Sequence, residues 1–176
     1  DDTCGYAIEG SELETMLYAS INTQYAYTKK MIDNIKAASP DTKIIIVGYP
    51  SFIYSGKVFS CTLNGGFLDN SERQMLNTAV DHMNEMLEKV AQDTGTYYAD
   101  TTDSLNGGRI CEGSEYVTGI WSNITGQAQE SERFHPNHYG HQKMAKAIYD
   151  SNVYTTHNQT NESTFVPNEE NFAERT

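Results

Sequence analysis

Apolar residues return at helical spacing in three stretches of the chain and run together in two short ones. Leu13, Leu17, Ile21, Tyr25, Ile32 and Ile35 recur at intervals of three, four or seven. That spacing predicts a long amphipathic helix. Ser11-Glu12-Leu13-Glu14 reads as its capping box, and Ser39-Pro40 marks its end. Lys29, Lys30 and Lys36 fall near its C-terminal end, where the helix dipole favours cations. A second stripe, Leu76, Val80, Met83, Leu87 and Val90, follows another capping box, Ser71-Glu72-Arg73-Gln74. Gly95 is placed to end that helix, and His82 falls off the stripe, on the solvent side. The third stripe is Met144, Ala145 and Ile148, with Pro136 suited to the first turn of the segment.

Between the helices lie two short strand-like runs. Lys43-Ile44-Ile45-Ile46-Val47-Gly48 is β-branched and apolar on both faces, as a covered parallel strand is. Thr96-Tyr97-Tyr98-Ala99-Asp100 reads as the other. The order is helix, strand, helix, strand, helix, which predicts an α/β fold with a parallel sheet. Three helices need more sheet than two strands supply. The expectation is therefore the C-terminal part of a larger sheet domain over residues 1–151, followed by a polar, aperiodic tail over 152–176. Ligands of open α/β sheets bind beyond the carboxyl ends of strands, so residues from Tyr49 to Tyr54 fall near any site. Residues 51–70 read as a loop rich in Gly, Ser and aromatics. Residues 101–134 form a longer one, of a length that is usually functional or pinned.

Charge and cysteine usage narrow the class. The 176 residues carry 12 basic and 24 acidic groups, a net charge of −12. That disfavours nucleic acid and anionic membrane surfaces as partners. No apolar run reaches the length of a membrane span. Cys4, Cys61 and Cys111 lie far apart, in no metal-binding or Cys-x-x-Cys spacing. Asn123, Asn158 and Asn161 each open an Asn-x-Ser/Thr triplet. Together these features suggest a secreted, disulfide-bonded and glycosylated protein. A Cys61–Cys111 bridge would pin the long loop to the earlier one and leave Cys4 over for a partner elsewhere.

The chemistry concentrates in Phe134-His135-Pro136-Asn137-His138-Tyr139-Gly140-His141. His135 sits on a loop at the mouth of a helix, and Glu132 precedes it by three residues. A carboxylate so placed can hold one imidazole nitrogen and leave the other free as a base, which is half of a nucleophilic triad. A lone loop histidine without such a role is the plain alternative. The run Glu132 to His141 resembles the last sequence block of the SGNH, or GDSL, hydrolases: an acid, two residues, His-Pro-Asn, two residues, Gly-His, then a helix. The usual family acid is Asp, where this chain has Glu132, and some relatives orient the histidine with a backbone carbonyl instead.

The resemblance covers residues 1 to about 150 and implies a three-layer α/β/α fold, flavodoxin-like, with a parallel sheet. It implies ester hydrolysis without metal or organic cofactor. In the family the nucleophile lies in a Gly-Asp-Ser block and part of the oxyanion hole in a Gly-x-Asn-Asp block. Neither block occurs in these residues. Ser11, Ser39 and Ser71 read as structural serines, and Ser51 and Ser55 lack a strand-to-helix elbow. The expectation is a companion N-terminal chain from the same precursor that supplies Ser, Gly and Asn, with Cys4 as a possible covalent link. His135 would then be the base, with Glu132 or a carbonyl as its orienter. Phe134, Trp121, Tyr49 and Phe52 are the candidate lining of an apolar acyl pocket for an ester substrate. Two other readings stay open. One is a secreted binding domain without a nucleophile. The other is a metal site on Glu132, His135, His138 and His141, whose three-residue spacing drifts around a helix.

Overall fold

The computed structural model describes residues 12–57, 62–63, 66–67, 69–112, 116–118 and 134–153, with backbone alone for 12–14 and the 62–67 strands. Helix α1 spans Glu12–Ala38, strand β1 Ile45–Val47, β2 Thr62–Leu63, β3 Gly66–Phe67, helix α2 Asn70–Thr94, strand β4 Tyr97–Ala99 and helix α3 His138–Asp150. Strands β1 and β4 pair in parallel, Ile46 opposite Tyr98. The expected α/β alternation with a parallel sheet is the observed fold. The stretch read as loop over 51–70 also holds a small antiparallel hairpin, β2 with β3.

One face of the parallel pair is covered by α1 and α2. Ile21 and Ile32 of α1, Met86, Leu87, Val90 and Ala91 of α2 and Ile46 of β1 form one buried cluster, with Ile44 and Tyr98 against it. Burial of such side chains contributes on the order of 2 kcal/mol each. Helix α1 packs chiefly on α2, while α2 covers both strands. Ile35, expected in the buried stripe, is 39% exposed. The drift of a 3.6-residue repeat carries it past the α2 contact after Ile32. Lys36, expected to serve its own helix, reaches across instead and donates to the Thr94 and Gly95 carbonyls at the end of α2. It satisfies carbonyls that a helix end leaves without partners.

The cap of α2 lies two residues earlier than the sequence suggests, at Asp69 rather than Ser71. Asp69 is the N-cap and accepts from the Glu72 N–H, while Glu72 accepts from the Asp69 N–H at 2.9 Å. Ser71 lies inside the helix and donates its hydroxyl to Asp69 at 2.6 Å. Two boxes overlap here, and the carboxylate three residues before Glu72 takes the capping role. Gly95 closes the helix with φ 59. His82 stands off the buried stripe, as expected, with its side chain 40% exposed; its ring also meets the Tyr18 ring edge-on at 4.4 Å, and Nδ1 lies 3.4 Å from Glu85. The Ser11 cap lies outside the described residues.

Beyond the strands the two chain segments stay in register. Gly48 N–H donates to Ala99 O, Ser51 N–H to Thr102 O, and Tyr54 N–H to Ile110 O, while Ile110 N–H returns to Phe52 O. Backbone bonds thus pin the start of the long loop to the β1 exit. Ile53, Leu105, Ile110 and Val117 bury a second core there, with Phe52, Leu76, Tyr116 and Met144 against it. The Arg109 guanidinium grips Glu112 through two bonds, at 2.8 and 2.9 Å, and closes the 107–112 turn. Packing continues through Val153, which is buried; residues 154–176 of the expected tail lie outside the described residues.

Candidate functional site

The loop that carries His135 is held by a strap of backbone bonds. Phe134 N–H donates to Thr118 O and Thr118 N–H donates to His135 O, at 2.9 and 2.8 Å; Asn137 N–H donates to Tyr116 O at 2.9 Å. Val117 and Pro136 are the paired residues of this short antiparallel bridge. Pro136 is therefore not in the first helical turn, as the sequence suggested. It precedes the cap, in an extended position where a missing N–H breaks no bond. Asn137 is the N-cap of α3, and its side-chain oxygen accepts from the N–H groups of Tyr139 and Gly140. A turn of helix on one side and a strap on the other leave His135 little backbone freedom.

Gly140 explains the close fit of strap and helix. A β-carbon there would lie 2.1 Å from the Tyr116 carbonyl oxygen and 2.9 Å from the Pro136 Cβ. Only glycine lets the first turn of α3 approach the strap so closely. Phe134 has φ 62, a left-handed conformation unusual for a bulky residue. Such a backbone costs about 1–3 kcal/mol and persists where its surroundings over-determine it. Here the Thr118 bond and an edge-to-face contact with Phe52, at 6.2 Å, do so. Met144, Ala147 and Ile148 are the half-buried positions of α3, whereas Ala145, expected inward, is exposed.

His135 opens on an apolar cavity of about 650 Å³. Tyr49, Pro50, Phe52 and Phe134 line it together with Leu17, Ile21, Val80, Met83 and Leu87. Three of the four expected pocket residues thus share one cavity with the expected base. Tyr49 is 56% exposed, so its ring stands at the entrance. The Tyr49 backbone is fixed from α2: its N–H donates to the Asn84 side-chain oxygen at 2.6 Å, and its carbonyl accepts from the Asn84 amide at 2.8 Å. Asn84 is itself buried and also donates to Thr102 Oγ1 at 3.0 Å. Gly48 packs closely beside it: a β-carbon there would lie 2.3 Å from the Tyr98 hydroxyl, so the Tyr98 side chain would have to shift.

Trp121, Glu132, Cys4, Cys61, Asn123, Asn158 and Asn161 lie outside the described residues. His138 faces Gln142 at 3.1 Å and the Tyr139 ring at 5.5 Å. Among the described residues no three His, Cys, Asp or Glu side chains stand close enough to hold a metal ion. Two contributors were not singled out from sequence. Asn84 is one; a polar residue amid the α2 stripe is its only signal. The other is Ser20 of α1, which lines the His135 cavity together with Gln24 and Thr28. Ser20 sits mid-helix, where the backbone N–H groups are committed to the helix and offer no oxyanion donors.

Comparison with known proteins places this arrangement. A family model described as the GDSL-like Lipase/Acylhydrolase family matches residues 15–143. The chain is 29% identical over 107 residues to "Lipase 1" of Streptomyces coelicolor, covering 60% of this chain and 35% of that protein. It is 26% identical over 95 residues to a lipase of Streptomyces rimosus, covering 54% of this chain and 34% of that one. The chain thus spans about a third of the length of these relatives. Among solved structures, an extracellular lipase from Streptomyces rimosus matches with TM-score 0.66 at 23% identity, over 85% of this chain and 60% of that one. A phospholipase A1 from Streptomyces albidoflavus matches with TM-score 0.58 at 23% identity, over 78% and 58%. These two likenesses are of fold.

Proposed function

This chain belongs to the GDSL-like lipase/acylhydrolase family, and we propose that it is the histidine-bearing part of a secreted serine ester hydrolase. The observation that carries the reading is the position of His135: strapped in place, at the mouth of an apolar cavity lined by Tyr49, Phe52 and Phe134. The serine nucleophile and the oxyanion donors come from polypeptide outside these residues, a companion N-terminal chain of the same precursor. The relatives, of which this chain spans about a third, carry further sequence of the kind this reading calls for.

In the reaction His135 removes the hydroxyl proton of that serine as its oxygen bonds to the ester carbonyl carbon. The carbonyl oxygen takes the negative charge and is stabilised by N–H donors of the companion segment. Glu132, or a backbone carbonyl in its place, holds the other imidazole nitrogen. The imidazolium then gives its proton to the leaving alkoxide as the C–O bond breaks. Water, deprotonated by His135, releases the acid and restores the serine. The relatives are lipases and one structural neighbour is a phospholipase A1, which favours an acyl ester as substrate. Phe134, Trp121, Tyr49 and Phe52 would receive the acyl chain.

Secretion agrees with the relative named as an extracellular lipase. A Cys61–Cys111 bridge would fasten the loop beyond the second core, where Cys111 packs. Glycans on Asn123, Asn158 and Asn161 and a Cys4 link to the companion complete this proposal. A fluorophosphonate probe on the purified protein, followed by intact mass under reducing conditions, tests it. Label on a serine outside these 176 residues is the expected result. Label on Ser20 would move the nucleophile into this chain, and no label would leave a binding domain as the better reading.

A further inference from the structure

Tyr49 shares the wall of the cavity with His135, yet more than half of it is exposed. Packing therefore does little to place its ring, which is aimed chiefly through its backbone. That backbone lies past the last paired strand residue, Val47, and before Pro50, which has no N–H to anchor it. Its bonds come from another element. The Asn84 amide takes both Tyr49 groups, accepting from the N–H at 2.6 Å and donating to the carbonyl at 2.8 Å. On either side, Thr101 donates its hydroxyl to the Gly48 carbonyl, and Ser51 N–H donates to Thr102 O.

The amide is itself aimed from behind. Asp100 accepts from the Thr102 N–H at 2.8 Å and from the Thr102 hydroxyl at 2.7 Å. A carboxylate only accepts, so the single hydroxyl proton of Thr102 is committed to it. The same oxygen can then only accept from Asn84, at 3.0 Å. The Asn84 NH2 is thus turned toward Thr102 and the Tyr49 carbonyl, and its oxygen toward the Tyr49 N–H. From Asp100 through Thr102 and Asn84 to Tyr49 runs a chain with one direction, which starts at an exposed carboxylate and ends at the cavity wall.

A buried amide costs stability unless its bonds are made, and an apolar residue at position 84 would carry no such cost. Asn84 is buried, and its bonds run to residues 49 and 102 rather than to its own helix. What they secure is the place of Tyr49. His135 is held by other means, the strap at Tyr116 and Thr118 and the cap of α3. The base and this part of the cavity wall therefore have separate supports, and loosening Asn84 moves one against the other.

We propose that Asn84 is a positioning residue of the hydrolase: with Thr102 and Asp100 behind it, it fixes the Tyr49 ring as a wall of the acyl site and so sets a preference for long over short acyl chains. Asn84 does not touch substrate; it acts through Tyr49. A long acyl chain gains apolar contact with a ring held in place, whereas an acetyl group has little chain to offer it. This rests on the reading of His135 as the base of an ester hydrolase, and it adds which residues select the ester.

Steady-state hydrolysis of p-nitrophenyl decanoate and p-nitrophenyl acetate by the whole gene product tests the proposal. Asn84→Ala should lower the decanoate-to-acetate ratio of kcat/KM about tenfold, mainly through KM for decanoate, as misplacement of a lining group does. Tyr49→Ala should lower it as much, and the double variant no further, because the two residues act as one. Thr102→Val keeps the shape and loses the hydroxyl, so it should shift the ratio the same way, and Thr102→Ser should restore it. Additive effects of Asn84→Ala and Tyr49→Ala would overturn the proposal. So would an equal loss for both esters, which is what a purely structural Asn84 gives. Thr102→Val at the wild-type ratio would overturn it even where Asn84→Ala does not fold. Calorimetric binding of decanoate reads the same variants without turnover. Binding weakened alike in Asn84→Ala and Tyr49→Ala, in a protein that hydrolyses neither ester, would sink the hydrolase reading and leave the role of Asn84 standing. Decanoate binding unchanged in both variants would overturn the proposal alone, and a protein that neither hydrolyses the esters nor binds decanoate would sink both.

Discussion

At the scale of single residues, the site depends on how closely backbone approaches backbone. Gly140→Ala would push a methyl group into the Tyr116 carbonyl. Overpacking of this kind costs about 1–3 kcal/mol. Thermal denaturation should show a lower midpoint, and a value equal to wild type would mean that strap and helix are not in contact. Glu112 offers a pH test. Its bond to the Arg109 guanidinium, more than its partial burial, holds its carboxyl below the ordinary value of 4.5. A depressed folded pKa contributes stability above the unfolded value, and that contribution is lost as pH falls through the folded one. Glu112→Gln should therefore lower stability by about 1 kcal/mol at neutral pH. The difference should vanish in strong acid, as followed by melting temperature across pH. Residues of this scale were only partly visible in the sequence. His135 was legible because an acid, a proline and a glycine surround it in a recognisable order. Asn84 was not, because what it does depends on which strand passes beneath its helix.

At the scale of elements, the helices were read nearly to their ends, and the errors share a cause. Local signals were degenerate. Asp69 and Ser71 each stand before a helix-compatible run, and the choice between them was settled by which side chain meets Glu72. Asp69→Ala should therefore destabilise by about 1 kcal/mol. Ser71→Ala should change stability by less than about 0.5 kcal/mol. Chemical denaturation of both variants decides between the two caps, and the reverse order would return the cap to Ser71. Pro136 misled for the same reason. Its fixed φ suits a first turn and an extended bridge alike, and the bond partners of Phe134 and Asn137 on the strap chose the bridge. The β2–β3 hairpin was hidden because two-residue strands leave no periodicity to detect. Ile35 and Ala145 show that a stripe fixes which face is apolar but not how far the neighbouring element extends along it.

At the scale of the whole molecule, alternation of helix and strand announced a parallel α/β sheet, and β1 and β4 pair in that way. The core over Ile53, Leu105, Ile110 and Val117 was not legible, since it is built from loops that carry no repeat. Yet this core supports the Tyr49–Tyr54 exit and, through Val117, the strap of His135. Ile53→Ala should cost about 2–5 kcal/mol in stability and loosen the site with it. Denaturation followed by a probe at the strap and by a probe in α2 would give one midpoint if the two cores fold together.

The measurement closest to the central claim is ester hydrolysis by the whole gene product, compared with its His135→Ala variant. The short-chain ester p-nitrophenyl butyrate serves as substrate. Removal of a general base lowers the catalytic rate by about 10²–10⁴-fold. The account predicts a loss of that size in kcat, with the fold and melting temperature of the variant near wild type, because His135 is an exposed loop residue. Hydrolysis at the wild-type rate in a folded His135→Ala protein would contradict it.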